Sequence, residues 1–90
     1  MRDHPYTEES LGGDTYLRVF TEDTLYEELK WHWDEEDRIV VPIMETDWKF
    51  QMDNKLPQTM EGEIFIPAGE WHRVIKGTGN LLLRVHKIKK

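Results

Sequence analysis

Residues Ile64 to His72 read I-F-I-P-A-G-E-W-H, an alternating apolar run that stops at a Pro-x-Gly turn and delivers a histidine three residues past the glycine. Proline holds φ at about −65° and donates nothing to a ladder, while glycine accepts a positive φ. Pro67-Ala68-Gly69 therefore predicts a tight turn between two strands, with His72 on a known parity of the second strand. A chain carrying this segment is committed to β structure at its centre.

The same period of two recurs along most of the chain. Strands are expected at Thr15 to Phe20, Arg38 to Met44, Trp48 to Met52, Lys55 to Gln58, Glu63 to Ile66, Trp71 to Ile75 and Leu81 to Ile88. Pro42 suggests an edge or a bulge, because proline lacks a ladder donor. In the extended segment before the second of these, Trp31 and Trp33 share one side, and His32 and Asp34 the other. One short helix, Glu22 to Leu29, is expected behind the cap Thr21, with Leu25 and Leu29 on its inner face. Met1 to Asp14 shows no apolar period and contains Pro5 and Gly12-Gly13, so it reads as a flexible arm ahead of a single domain, residues 15–90. Short strands at regular spacing predict an all-β sandwich or barrel.

Composition narrows the function classes. The 90 residues allow one domain with a modest core. With 12 Lys+Arg against 18 Asp+Glu, the formal charge of −6 argues against general nucleic-acid binding, which depends on a basic surface. No cysteine is present, so thiolate metal sites, disulfides and cysteine nucleophiles are excluded. Any metal must sit on histidine and carboxylate. No apolar run has the length of a membrane span, and the N-terminus lacks a signal peptide's apolar stretch; a soluble, cytoplasmic protein is expected.

The P-x-G-x-x-H spacing of Pro67, Gly69 and His72 resembles the second motif of the cupins, small jelly-roll barrels (double-stranded β-helices) in which this histidine points inward. The resemblance covers Trp31 to His86. It implies that His32 stands where the first motif's first histidine would be, that Asp34 takes the second histidine's place, and that Arg38 falls where the glutamate ligand belongs. The second motif also departs, with four residues between Gly62 and Pro67 instead of five and Lys76 in place of asparagine. Trp31-His32-x-Asp34-x-Glu36-Asp37-Arg38, with Trp48-Lys49-x-Gln51-Met52-Asp53, is similar to short cupin-like proteins of tailed phages, which would place the protein in a host cytoplasm. A small cupin of this kind is expected to pair as a homodimer through its edges and its Trp-bearing outer face.

His32, Asp34, Arg38, Gln51 and His72 are expected to face inward, with Trp48 or Trp71 available to stack on a ligand and Arg84 to add charge. His32, Asp34 and His72 form a two-histidine, one-carboxylate set suited to Fe(II), Mn(II) or Zn(II), although the Arg38 charge would oppose a cation unless Glu36 or Asp37 neutralised it. Alternatively, Arg38 with the two histidines, and Lys49 or Arg84, lines a pocket for a small polar or anionic ligand such as a nucleotide, sugar or organic acid. Each feature also has a structural reading: His32 and Asp34 as a hydrogen-bonded pair, Arg38 paired with Asp34 or Glu36, the tryptophans as core or interface anchors. His4, His86 and the lysine tail read as surface. Three classes follow: a binding protein, a metal-dependent isomerase, epimerase or dioxygenase, and an accessory protein acting through its outer face. Turnover is undecided at this level.

Overall fold

The structure, a computed structural model, describes residues 5–89. His4 and Lys90 lie outside the described residues. Eight strands follow one another as β1 (Thr7–Gly12), β2 (Thr15–Phe20), β3 (Asp37–Pro42), β4 (Lys49–Met52), β5 (Gln58–Thr59), β6 (Ile64–Ile66), β7 (His72–Ile75) and β8 (Leu81–Ile88), with one 3-10 turn at Tyr26–Glu28 between β2 and β3. They form two antiparallel sheets, in the orders β1-β2-β8-β3-β6 and β5-β4-β7. The all-β jelly-roll expectation holds.

The period of two shapes the interior. Leu81, Leu83 and Val85 of β8 are buried while Arg84 and His86 are exposed, and Phe20, Val40, Ile64 and Ile66 extend the same inner face across the sheet. Phe50 and the wholly buried Trp48 face them from the second sheet, with the Phe20 and Trp48 rings 5.8 Å apart. At about 25 cal/mol per Å² of apolar surface removed from water, these side chains supply the main favourable term of folding. Pro42 causes no break, because β3 pairs with β6 only from Arg38 to Val40 and Pro42 lies past that stretch.

Two expectations are corrected. The N-terminal segment is a strand: β1 pairs with β2 from Thr7↔Val19 to Gly12↔Thr15, with an irregularity between Ser10 and Gly12. Gly12 and Gly13, with φ of 104° and 58°, make the hairpin turn between β1 and β2. All six residues of β1 are exposed, so it carries no apolar period and is held by its ladder and its side-chain ion pairs. The helix expected over Glu22 to Leu29 shrinks to the single 3-10 turn. Glu22 N–H donates to Asn80 Oδ1, Thr24 N–H to the Thr21 carbonyl, and the buried Thr24 hydroxyl to the Pro5 carbonyl, which fixes residues 21–24 as a turn. Leu29 packs on the core, whereas Leu25 is exposed. Isolated turns this short do not propagate. Among the described residues no helix is long and apolar enough to cross a membrane.

The end of the barrel opposite the polar residues is closed by a clamp. Asp47 accepts from the Thr78 N–H (2.7 Å) and the Thr78 hydroxyl (2.8 Å), and Trp48 Nε1 donates to the Thr78 and Gly79 carbonyls, both at 3.2 Å. A Cβ on Gly77 would lie 2.6 Å from the Trp48 nitrogen and against the Asp47 carboxylate. Gly77→Ala is therefore expected to destabilise the fold by ~1–3 kcal/mol, the usual cost of overpacking, measured by chemical denaturation. The Thr78 donors also hold the Asp47 carboxyl below the ordinary carboxylate range. A group whose pKa is lower in the folded chain stabilises the fold above its unfolded pKa, and that contribution is lost as pH falls through the folded value. Replacing the carboxylate by Asp47→Asn should lower the denaturation midpoint at neutral pH, and the gap from the parent should narrow as pH drops below about 4. An unchanged gap across that range would contradict the clamp.

Candidate functional site

Asp34, His32 and His72 are brought together by backbone hydrogen bonds rather than by a shared strand. His32 N–H donates to the His72 carbonyl at 3.0 Å, and His72 N–H to the His32 carbonyl at 2.8 Å, which docks the extended 31–34 segment on β7. The Pro67-Gly69 turn secures the next step. Gly69, at φ 80°, donates its N–H to the Asp34 carbonyl at 2.8 Å, and Ala68 N–H donates to Asp37 Oδ1 at 2.8 Å. The turn predicted from sequence thus holds the acidic segment 34–37 in place as well as presenting His72.

The two histidines are oriented alike. Nδ1 of His32 lies 3.1 Å from the Lys30 carbonyl, and Nδ1 of His72 lies 2.8 Å from the Glu70 carbonyl. A carbonyl only accepts, so both Nδ1 atoms carry the proton and each neutral ring keeps its lone pair on Nε2. The rings pack edge to face with centroids 4.2 Å apart. His72 is buried, and its Nε2 lies 3.3 Å from Asp34 Oδ2. His32 sits at the cavity rim. Crowding by protein lowers its pKa, helped by repulsion from His72 and Arg18, against opposing effects from the Lys30 carbonyl and Asp34.

Arg38 occupies the other half of Asp34. Its Nη2 lies 3.3 Å from Asp34 Oδ1 and 2.9 Å from Glu36 Oε1. Burial alone would raise the Asp34 pKa, but His72 and Arg38 outweigh it and the carboxyl titrates below its ordinary value. Oδ2 remains the one fully buried side-chain oxygen or nitrogen among the described residues with no hydrogen-bond partner. It lies 3.3 Å from His72 Nε2, and a proton or a cation between the two atoms would satisfy both. One ligand atom from each of His32, Asp34 and His72 falls within 4.8 Å of the others. The donor set fits a divalent metal: two imidazoles fixed by backbone acceptors and one carboxylate oxygen left for it.

These residues form one end of a cavity of about 530 Å³, a volume ordinary for a small-molecule site. Phe50, Val40, Met60 and Leu83 line its apolar wall, and Arg38 shares the polar end. Four of the residues expected there do not line it. Trp48 is fully buried in the core with its N–H committed to the Thr78 and Gly79 carbonyls. Gln51 lies on the outer face of β4, donating to the Lys55 carbonyl and accepting from Arg73 Nε. Arg84 is exposed on the outer face of β8. Lys49 likewise points away, donating to Thr59. Arg18, Glu8 and Lys87 line the cavity unexpectedly. Alternation was the available signal, since Arg18 shares the parity of Phe20, and Lys87 that of Leu83 and Val85.

No family model and no curated protein sequence matches the chain, but solved structures do. A cupin domain from Bordetella pertussis Tohama I superposes over all of this chain and 99% of its own, at TM-score 0.67 and 16% identity. The fold is a cupin barrel. The DMSP lyase DddQ of Ruegeria pomeroyi DSS-3 matches the cupin barrel at TM-score 0.70 and 17% identity, over 84% of this chain. This chain spans only 38% of that lyase. Fe(II) HppE gives TM-score 0.60 and 15% identity over 82% of this chain and 41% of its own. At these identities the likeness concerns the fold alone.

Proposed function

We propose that this cupin barrel holds a divalent metal on His32, Asp34 and His72 and binds a small polar or anionic molecule in the cavity beside it. The observation that carries the reading is the buried Asp34 Oδ2, without a hydrogen-bond partner and 3.3 Å from His72 Nε2, with a ligand atom of His32 within 4.8 Å. Three protein ligands leave open positions, as in metal sites that bind substrate. A divalent ion bound there would act as a Lewis acid toward a ligand oxygen. The metal-bearing solved structure named above, an Fe(II) form of HppE, makes such a centre compatible with the barrel.

The chain's own residues divide the remaining work. Arg38 fixes Asp34 through Oδ1 and so aims Oδ2, while Glu36 offsets the guanidinium charge. The Lys30 and Glu70 carbonyls set the histidine tautomers. Phe50, Val40 and Leu83 keep one wall of the cavity apolar, which limits water around a bound ligand.

The test is a titration of chelator-stripped protein with Co(II), followed by its visible absorption. One ion should bind per chain, with affinity falling more than about tenfold in His72→Ala and in Asp34→Asn, since even outer-sphere losses cost that much at metal sites. Metal at a hundred times its dissociation constant adds about 2.7 kcal/mol, so the 90-residue domain should melt roughly 10–20 °C higher when loaded. Equal Co(II) binding by the parent and both variants would sink the proposal.

A further inference from the structure

The cavity has a second polar pole, built from elements outside the histidine cluster. Arg18 projects inward from β2 and is 8% exposed. Its Nε and Nη2 both donate to one oxygen of Glu8, with Nε at 2.8 Å, and its face lies 4.0 Å from the Tyr6 ring centroid. Lys87 approaches the other Glu8 oxygen at 3.9 Å and lies 4.4 Å from the Tyr16 ring centroid. One carboxylate here faces two cations, so the group of three carries a formal charge of +1. Aromatic faces hold both cations without neutralising them.

Glu8 is the weak member of this group. It sits on the edge strand β1, whose six residues are all exposed, whereas Arg18 belongs to an interior strand paired on both sides. The arrangement therefore holds a carboxylate that a swing of one edge-strand side chain, itself 25% exposed, would release. We infer that the cavity takes a small organic acid, whose carboxylate seats on Arg18 and Lys87 in place of Glu8 and whose other end, an oxygen donor, reaches the His32-Asp34-His72 cluster. For that second end the inference rests on the metal reading; for the carboxylate end it does not. A planar carboxylate suits the guanidinium fork better than a single neutral oxygen, and the fork already holds one.

The experiment titrates the full chain, both chelator-stripped and Zn(II)-loaded, with succinate, 1,4-butanediol and inorganic phosphate by calorimetry. Succinate should bind and butanediol should not. Glu8→Gln, which removes the competing charge, should tighten succinate by about tenfold, and Arg18→Met should weaken it by at least about tenfold, as expected for a charge-assisted pair. In the Arg18→Met background the Glu8→Gln gain should shrink, which a merely structural ion pair would not produce. Thermal unfolding of Arg18→Met, where an apolar chain replaces a buried charge, verifies that the barrel is intact; if it is not, Arg18→Lys, expected to weaken succinate while keeping the charge, decides in its place. Succinate affinity unchanged or weakened by Glu8→Gln, or phosphate binding in preference to succinate, overturns the inference. Arg18-dependent succinate binding without Co(II) binding sinks the metal reading alone, and the converse sinks this one alone.

Discussion

The reciprocal pair of backbone hydrogen bonds between His32 and His72 is what the site depends on. Neither residue is placed by its own strand alone: His72 opens β7, but the 31–34 segment belongs to no named strand, and its backbone is tied to β7 by this bridge and to the turn by the Gly69 N–H. Amide-carbonyl bonds contribute about 1 kcal/mol each in net terms, so their importance lies in position more than in stability. They set the two rings 4.2 Å apart and carry Asp34 in behind them. Glycine at 69 is required because φ is 80° there, and its amide must reach the Asp34 carbonyl.

From that bridge the barrel divides into two ends. At one, Trp48, Leu81 and the Asp47-Thr78 clamp close the core. At the other, Arg18, Arg38, His72, Asp34 and Lys87 share the space between the sheets. Charges so enclosed are costly unless paired. Each cation there has a carboxylate partner, and each histidine a carbonyl. The exception is one oxygen of Asp34. Among the described residues, that oxygen is the one buried side-chain polar atom the network leaves without a hydrogen bond, and its residue lines the cavity.

Much of this was legible beforehand, and the failures have physical causes. Most strand positions and the Pro67-Gly69 turn followed from alternation and turn chemistry, although the strand expected at Lys55 to Gln58 shifts to Gln58–Thr59; His32, Asp34, Arg38 and His72 line one cavity, on the faces the cupin resemblance turned inward. Gln51 could not have joined them, because Phe50 faces inward and neighbours on a strand point to opposite sides. Trp48 does face inward, but at the sealed end. On β8, Leu81, Leu82 and Leu83 are apolar on both parities, so the triplet hid which face is inner and made Arg84 as plausible as Lys87. Arg18 was hidden in the same way by Leu17 and Val19 on the outer face. Strand β1 left no trace because both of its faces meet solvent, and an edge held by its ladder needs no apolar pattern.

Arg38 at first sight argues against a metal, and the geometry reverses that argument. A guanidinium beside three ligands repels a divalent cation only if its charge is free. Here Arg38 shares one positive charge between Asp34 and Glu36, so the three residues sum to −1 with the histidines neutral. The arginine also takes Oδ1 and thereby leaves Oδ2 as the carboxylate's sole outlet toward the histidines. What looks like the loss of a ligand is then a change in how the remaining carboxylate is held, with the Arg38 guanidinium at Oδ1 and His72 Nε2 facing Oδ2. Without Arg38, the half-buried Asp34 carboxylate would have to turn both oxygens to the cluster or titrate higher, because burial opposes its charge. The residue that weakens the resemblance to a standard cupin motif thus joins His72 in keeping Asp34 ionised.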